Sequence, residues 1–385
     1  MRDPTKVWLG GARTAPGFTY GELEAVVDRP APDCPPTTLD TLVGLTRTSW
    51  AAGYFVPVKW QPSRPLCSSS DAVGEGSANR SPVGEIVLWT SGSTGEPRPV
   101  RHSLRTLTRG VIVSPRHADD IWGLAFNPTH MAGVQVYLQA LANQNTVVDL
   151  WGEDEREVFE RCRHWGVTHL SATPTFYRML LSVPGELPAL RSVSVGGEVA
   201  DEQLFRNLRA RFPSVRLRNI YASTEAGTLL TATGDEFSLS DAQGGMLRVV
   251  DNRLWAHRSL LGQFEGATEW YDTGDAVEVT TKNPLRFRIV GRAQDRINVG
   301  GEKVNPVEVE AALCAHPAVA SVRVFGRRNS VSGEILAADV VARGEPPSEA
   351  DLRVALARQL PAYKIPRLIR FVENLELTRT GKVRR

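Results

Sequence analysis

The chain has 385 residues, enough for two or three domains with apolar cores of their own. Its 42% hydrophobic and 23% charged content matches globular averages and excludes wholesale disorder or a fibrous repeat. A formal charge of +2 with no long basic run gives no electrostatic footprint for nucleic acid or for an anionic membrane surface.

The first 84 residues carry little periodic signal, and PAPDCPPTT (30–38) and SSSDAVGEGSANRSPVG (68–84) read as loops. From Glu85 onward, short apolar runs alternate with amphipathic stretches of helix length. EIVLW, IWGLAF, TVVDL, VTHLSA and SVSVG predict strands, while 153–165 and 200–212 predict helices. That alternation predicts βα units on a mainly parallel sheet. After Arg292 the texture changes: Asn305 can cap a helix, Pro306 takes its first turn, and Glu308 favours the positive end of its dipole. The helical run VEVEAALCAH, the strand-like runs VASVRVFG and EILAADVVA, the helical run DLRVALARQL and the run RLIRFV then make a compact α+β unit of about 90 residues. The predicted organisation is a reduced, loop-rich N-terminal region (1–84), a core (85–291) that with it forms the large domain, and a mobile C-terminal domain (292–385).

The four cysteines, Cys34, Cys67, Cys162 and Cys314, form no CxxC pair and no cluster with histidine at metal spacing, which predicts a reduced setting without structural zinc. There is no apolar run of about 18 residues, and the opening residues lack the layout of a signal peptide, so the expectation is a cytoplasmic protein without a membrane partner.

The strongest local signal is LWTSGSTGEPRPV (88–100), a hydroxyl- and glycine-rich turn directly after a strand. Glycines let backbone amides face an anion and Ser91, Ser93 and Thr94 add donors, so the segment suits a polyphosphate. No GK[ST] follows, which excludes a Walker loop. Such a turn alone is more often only a turn; its company changes the reading. Further on stand GGE (196–198), NIYASTEAG (219–227), WYDTGD (270–275), VGRAQDRINVGGEKVNPVEVE (290–310) and LTRTGKVRR (377–385). Only six of the 45 basic residues are lysines, so a lysine inside one of these blocks carries more information than usual.

The order and spacing of these blocks behind a TSGSTG loop resemble the adenylate-forming superfamily of acyl-CoA synthetases, nonribosomal adenylation domains and luciferases. The resemblance covers residues 85–385. It implies an α/β fold, with mainly parallel βα sheets in the large domain and a small α+β C-terminal lid, and it implies ATP and Mg²⁺ as cofactors. A carboxylate is a poor nucleophile toward polyanionic ATP, so such an enzyme neutralises phosphate charge and holds its reactants in line. On the family pattern, Thr90, Ser91, Gly92, Ser93, Thr94 and Gly95 hold the β- and γ-phosphates, and Thr94 with Glu225 positions the metal. Tyr221 stacks on adenine with Asn219 at its polar edge, Ala222, Ser223 and Thr224 continue that wall, and Gly196, Gly197 and Glu198 form the opposite one. Asp275 accepts the ribose hydroxyls and Arg292 contacts ribose and phosphate near the hinge, although an Asp in a TGD turn is often turn chemistry alone. Lys382 contacts the substrate carboxylate and α-phosphate as charge builds in the transition state. His130 borders the acyl site and thiol tunnel, although a lone histidine is more often structural. Thr173, Gly196 and Ala222 fall near positions that line the acid pocket, where small side chains leave room for a flat ring. Gly301 and Lys303 match positions beside the pantetheine path.

Four departures stand out. Arg98 and Pro99 replace the usual Lys and Gly at the exit of the phosphate loop, and Pro99 stiffens it and removes an N–H donor. Ala222 stands where Gly is common. Gln294 occupies the hinge position two residues after Arg292. Only 89 residues precede the TSGSTG loop, a shortened region that in relatives often carries a dimer contact, so a homodimer stays open; short forms occur among o-succinylbenzoate-CoA synthetases and phenazine-pathway carboxylate-activating proteins. The resulting expectation is an AMP-forming acid–thiol ligase that activates a small aromatic or cyclic carboxylic acid and passes it to CoA. Transfer to a carrier protein or an amine, or a catalytically weakened nucleotide-binding protein, are the alternatives.

Overall fold

The computed structural model describes residues 7–11, 14–19, 85–90, 98–143, 145–239, 245–329, 333–376 and 383. The predicted phosphate-loop residues Ser91 to Gly95, including Thr94, and the predicted lysine Lys382 lie outside them.

The strands run in chain order as β1 (Val7–Gly11), β2 (Thr14–Thr19), the hairpin β3 (Glu85–Trp89) and β4 (Pro99–Ser103), then β5 (Ile121–Leu124), β6 (Thr146–Asp149), β7 (His169–Ala172), β8 (Ser192–Gly196), β9 (Arg216–Ser223) and β10 (Gly227–Ala232). Apart from the hairpin they form one eight-stranded sheet in the order β10-β9-β8-β7-β5-β6-β1-β2. The neighbours from β9 through to β1 are parallel, and the two outermost pairs are antiparallel. All five residues of β8 and all four of β7 are buried, as parallel strands covered on both faces must be.

Helices supply that cover. On one face α3 (Glu155–His164), α4 (Pro174–Leu180) and α5 (Glu202–Arg211) bury Val158, Phe159, Tyr177, Leu204, Phe205 and Leu208 against the sheet. On the other face, α1 (Leu104–Leu107), α2 (Met131–Ala142) and the β3–β4 hairpin enclose Ile86, Leu88, Met131, Val134 and Tyr137. Local signals agree with this packing: Asp154 caps α3 by accepting from the amides of Arg156 and Glu157, with acidic residues in its first turn and basic ones in its last. Strands β1 and β2 fall in a segment whose Gly and Pro content predicts loops; they form by pairing with β6 at the sheet edge, and Pro16 is accommodated because β2 is outermost.

A second, antiparallel sheet combines β11 (Glu236–Ser238), β12 (Leu247–Val250), β13 (Arg253–His257), β14 (Trp270–Lys282) and β15 (Leu285–Arg292). The C-terminal unit has its own apolar core and a sheet of β16 (Ile297–Val299), β17 (Glu302–Val304), β18 (Val319–Asn329), β19 (Gly333–Ala342) and β20 (Leu368–Phe371) under α6 (Pro306–Cys314) and α7 (Glu349–Ala357). Asn305 caps α6 through Val307 N at 3.1 Å and Pro306 takes the first helical position, as the sequence predicts. The expected architecture, a mainly parallel α/β body with a small α+β unit behind it, is therefore the observed one.

Candidate active site

The site lies at the carboxyl ends of β7, β8 and β9, where the second sheet meets the first. Tyr221 sits near the end of β9, just before the turn that leads to β10; Ser223 Oγ closes that turn by accepting from Ala226 N at 3.2 Å. Asp275 lies on β14 directly opposite Arg292 on β15. The Tyr221 hydroxyl donates to Asp275 Oδ2 at 2.6 Å, and Arg292 Nε meets Asp275 Oδ1 at 3.0 Å. Three residues from three distant blocks thus form one chain. Burial and then the adjacent carboxylate push the Tyr221 phenol well above its ordinary pKa. Burial disfavours the Arg292 charge, yet Asp275 and, further off, Glu225 raise its pKa above the usual guanidinium value. Gly274 adopts φ +79°, the left-handed conformation that the TGD turn needs, and a Cβ there would stand 3.1 Å from Arg292 Nη1.

Glu225 follows in the β9–β10 turn. Tyr271, four residues before Asp275 on β14, places its hydroxyl 3.3 Å from Glu225 Oε1. Burial and this carboxylate push the Tyr271 pKa up to about 12, so the hydroxyl remains a donor. The backbone around Glu225 is fixed by its carbonyl accepting from Gly262 N at 2.7 Å and by His102 Nε2, 2.8 Å from the Thr224 carbonyl. A carbonyl only accepts, so the His102 proton lies on Nε2. Arg109 braces the next residue through the Ala226 carbonyl at 2.8 Å. An oxygen donor held this way suits a hard cation such as Mg²⁺.

Glu198, past the end of β8, gathers a second set of contacts. Its Oε2 accepts from Thr175 N at 3.1 Å and Thr175 Oγ1 at 2.7 Å, placing a carboxylate at the first turn of α4. Its Oε1 accepts from Val383 N at 3.0 Å. The residue that follows Lys382 in the chain is thereby bonded to the GGE block of the large body. The C-terminal unit also packs on that body through β18 against α4.

Other predicted residues are placed as follows. Asn219 is buried and donates to the Gly234 carbonyl at 2.9 Å; Ala222, further along β9, pairs with Thr228 of β10. Gly196 lies so close to Ile220 O that a Cβ would stand 2.8 Å from it, and Gly197 has φ +84°. Thr90 closes the base of the β3–β4 hairpin: its amide donates to Arg98 O at 2.9 Å and its hydroxyl oxygen accepts from Arg98 N at 3.1 Å. Pro99 pairs opposite Trp89 at that hairpin. Thr173 is the N-cap of α4, its hydroxyl oxygen accepting from Phe176 N at 3.1 Å. His130 is the N-cap residue of α2 and is half-buried. Lys303 is exposed on the β16–β17 hairpin, whose turn is Gly300 and Gly301 at φ +60° and +97°. Gln294 lies in the single turn Ala293–Asp295 directly after Arg292.

Sequence reasoning did not single out Tyr271, Thr175, His102 and Arg109. Tyr271 stands inside the quoted WYDTGD block, and that block is the signal that could have found it. The other three lack a local signature.

Tyrosine, aspartate and glutamate gathered at the ends of parallel strands, with a small C-terminal unit bonded to the same body, fit the class of AMP-forming enzymes. Residues 79–255 match the AMP-binding enzyme family and residues 308–382 match the AMP-binding enzyme C-terminal domain, and the chain belongs to this family. It is 29% identical over 339 residues to an isonitrile lipopeptide synthase of Streptomyces coeruleorubidus, covering 78% of this chain and 23% of that one. It is 28% identical over 348 residues to an acetyl-coenzyme A synthetase of Bacillus subtilis (strain 168), covering 78% of this chain and 60% of that one. The fold is similar to that of o-succinylbenzoate CoA synthetase from Bacillus subtilis in complex with its acyl-adenylate intermediate, with TM-score 0.60, 21% identity, and 78% and 67% of the two chains covered. The chain spans between 23% and 61% of the length of three curated relatives it matches. No helix among the described residues is long and apolar enough to cross a membrane.

Proposed function

We propose that the protein activates a small carboxylic acid with ATP, forming an acyl-adenylate and pyrophosphate, and then passes the acyl group to a thiol, with CoA as the first candidate. The observation that carries this reading is the chain Tyr221–Asp275–Arg292 beside Glu225: a buried carboxylate pre-aimed by two donors, next to a second carboxylate with its own donor. Asp275 accepts the ribose hydroxyls, and Tyr221 and Arg292 hold that carboxylate in place. The Tyr221 ring offers a face to the adenine.

In the reaction the substrate carboxylate oxygen bonds to the α-phosphorus of ATP as the bond to the β-phosphate oxygen breaks, and pyrophosphate leaves. Glu225, with Thr94, would hold Mg²⁺, which supplies charge neutralisation to the phosphates. Lys382 meets the negative charge that grows on the carboxylate and α-phosphate oxygens. The Glu198–Val383 bond supports this assignment, because it ties the residue adjacent to Lys382 to the wall of the nucleotide crevice. His130, Thr173, Gly196 and Ala222 border the acid. The thiol then attacks the acyl carbon and AMP departs. A carrier protein or an amine in place of CoA is the alternative acceptor, and Lys303 on its exposed hairpin would meet the phosphates of CoA or of a phosphopantetheine arm.

Pyrophosphate release measured against a panel of aryl and alkyl acids, with and without CoA, tests the reading. Turnover with at least one acid, and acyl-CoA detected by mass spectrometry, are expected. Lys382→Ala abolishes pyrophosphate release while ATP still binds. No turnover with any acid despite measurable ATP binding would point to the nucleotide-binding alternative.

A further inference from the structure

At the opposite end of the strands of the eight-stranded sheet, where β5 and β7 begin, three metal-ligating side chains converge. His117 ends the single turn Pro115–His117, Asp120 directly precedes β5, and His169 is the first residue of β7. One nitrogen of each histidine and one Asp120 oxygen all lie within 4.8 Å of one another. His117 Nδ1 stands 2.6 Å and His169 Nε2 3.5 Å from the same Asp120 Oδ2, and the side chains are 17%, 8% and 3% exposed for His117, His169 and Asp120. His169 and Thr173 bracket β7, so about 13 Å of strand separates this cluster from the nucleotide crevice.

His169 is held from behind. Thr168 Oγ1 accepts from Ile121 N at 2.8 Å and lies 3.2 Å from Ile121 O and 2.9 Å from His169 Nδ1, which leaves His169 Nε2 as the nitrogen facing Asp120 Oδ2. The supporting contacts resemble those behind metal-bound histidines: a hydroxyl on the far nitrogen of His169, Trp122 stacked at 4.7 Å between ring centroids, and Asn145 Nδ2 holding the His117 carbonyl at 2.6 Å.

We propose that His117, Asp120 and His169 bind a divalent transition-metal ion of the zinc type, which clamps the 115–117 turn to the starts of β5 and β7. Bonds of about 2.0–2.1 Å in tetrahedral geometry hold ligand atoms about 3.3 Å apart. The His169–Asp120 separation already matches; the His117–Asp120 pair has to open by about 0.7 Å, from 2.6 Å, when the hydrogen bond between them becomes two metal bonds. A fourth position stays open for water on the His117 side. Two imidazoles and one carboxylate favour zinc, cobalt or nickel over magnesium or calcium, and Arg216 and Arg218, whose charges reach His169, further disfavour a hard ion that depends on charge alone.

The test needs no nucleotide and no acid substrate, so its outcome is independent of the adenylation reading. The full chain, freed of metal with a chelator, is titrated with Co²⁺ by visible absorption and with Zn²⁺ by calorimetry. One equivalent of each, with the intense absorption of a low-symmetry nitrogen-ligated Co²⁺, is the expected result, together with a rise in Tm of about 5 °C when Zn²⁺ is at a hundredfold excess over its Kd. His169→Asn and, at the more exposed position, His117→Ala each weaken binding at least tenfold with an unchanged circular dichroism spectrum, while Glu225→Gln leaves it unaltered. Absence of stoichiometric binding to the folded chain, or binding that survives in folded His117→Ala, overturns the proposal.

Discussion

Asp275→Asn removes one negative charge and keeps the shape, so its effect follows directly from the contacts. The wild-type carboxylate accepts from the Tyr221 hydroxyl at 2.6 Å and pairs with Arg292 at 3.0 Å. A hydrogen bond to a charged group contributes about 1.5–3 kcal/mol and a neutral one about 1, so weakening the tyrosine bond costs about 1 kcal/mol. Arg292 is 44% exposed, which holds the ion pair to about 1 kcal/mol or less. The sum, about 2 kcal/mol, corresponds to a fall in Tm of about 4–8 °C for a domain of this size. Under the proposed function the same change weakens the ribose bonds of ATP from charged to neutral, raising KM for ATP about ten- to a hundredfold. Calorimetric scans and pyrophosphate release at varied ATP measure the two effects. A Tm within about 1 °C of wild type would refute the energetic argument, and an unchanged KM in a folded variant would refute the ribose assignment.

Tyr271→Phe removes the donor to Glu225 while keeping the ring; kcat should fall about tenfold with KM for ATP little changed, and added Mg²⁺ should recover part of the loss, as steady-state assays across Mg²⁺ concentrations will show. Gly133→Ala places a Cβ 2.2 Å from Asn127 O and 2.8 Å from Pro128 Cα, which forces α2 off the preceding loop; urea unfolding should show a loss of about 2 kcal/mol or more. His102 is buried and its pKa lies below the ordinary value of 6.5, chiefly through desolvation and also through Arg109, with the Thr224 carbonyl and Glu225 opposing. The folded state therefore binds this proton less readily than the unfolded one: the stability is fully present above about pH 6.5 and is lost as pH falls from there toward the folded value. Urea midpoints at pH 7.5 and 5.5 should differ in that direction, and His102→Gln should flatten the difference.

Much of the fold was readable along the chain because its signals are local. EIVLW and SVSVG predict β3 and β8 to the residue, since short runs rich in Val and Ile bounded by turn residues mark strands, and the predicted cap Asn305 with Pro306 marks the start of α6 as observed. The TGD and GGE blocks stand out through their order and spacing, which resemble the adenylate-forming superfamily. Strands β1 and β2 escaped, because pairing with β6 rather than composition creates them.

What lay beyond the sequence is which side chains meet. Tyr221 and Asp275 are 54 residues apart and belong to different sheets, and no spacing rule states that one bonds the other. Glu198 reaches Val383 across 185 residues, so contact between the small unit and the large body is a property of their packing. The histidines at 117 and 169 share no metal motif along the chain; the parallel register of β5 on β7 brings His169 beside Asp120. Sequence determined the elements and the chemical types at their ends, because hydrophobic period and turn geometry act over a few residues. Tertiary structure decided the sites, because a hydrogen bond or ligand set needs a few ångströms of proximity that only strand register and sheet packing supply.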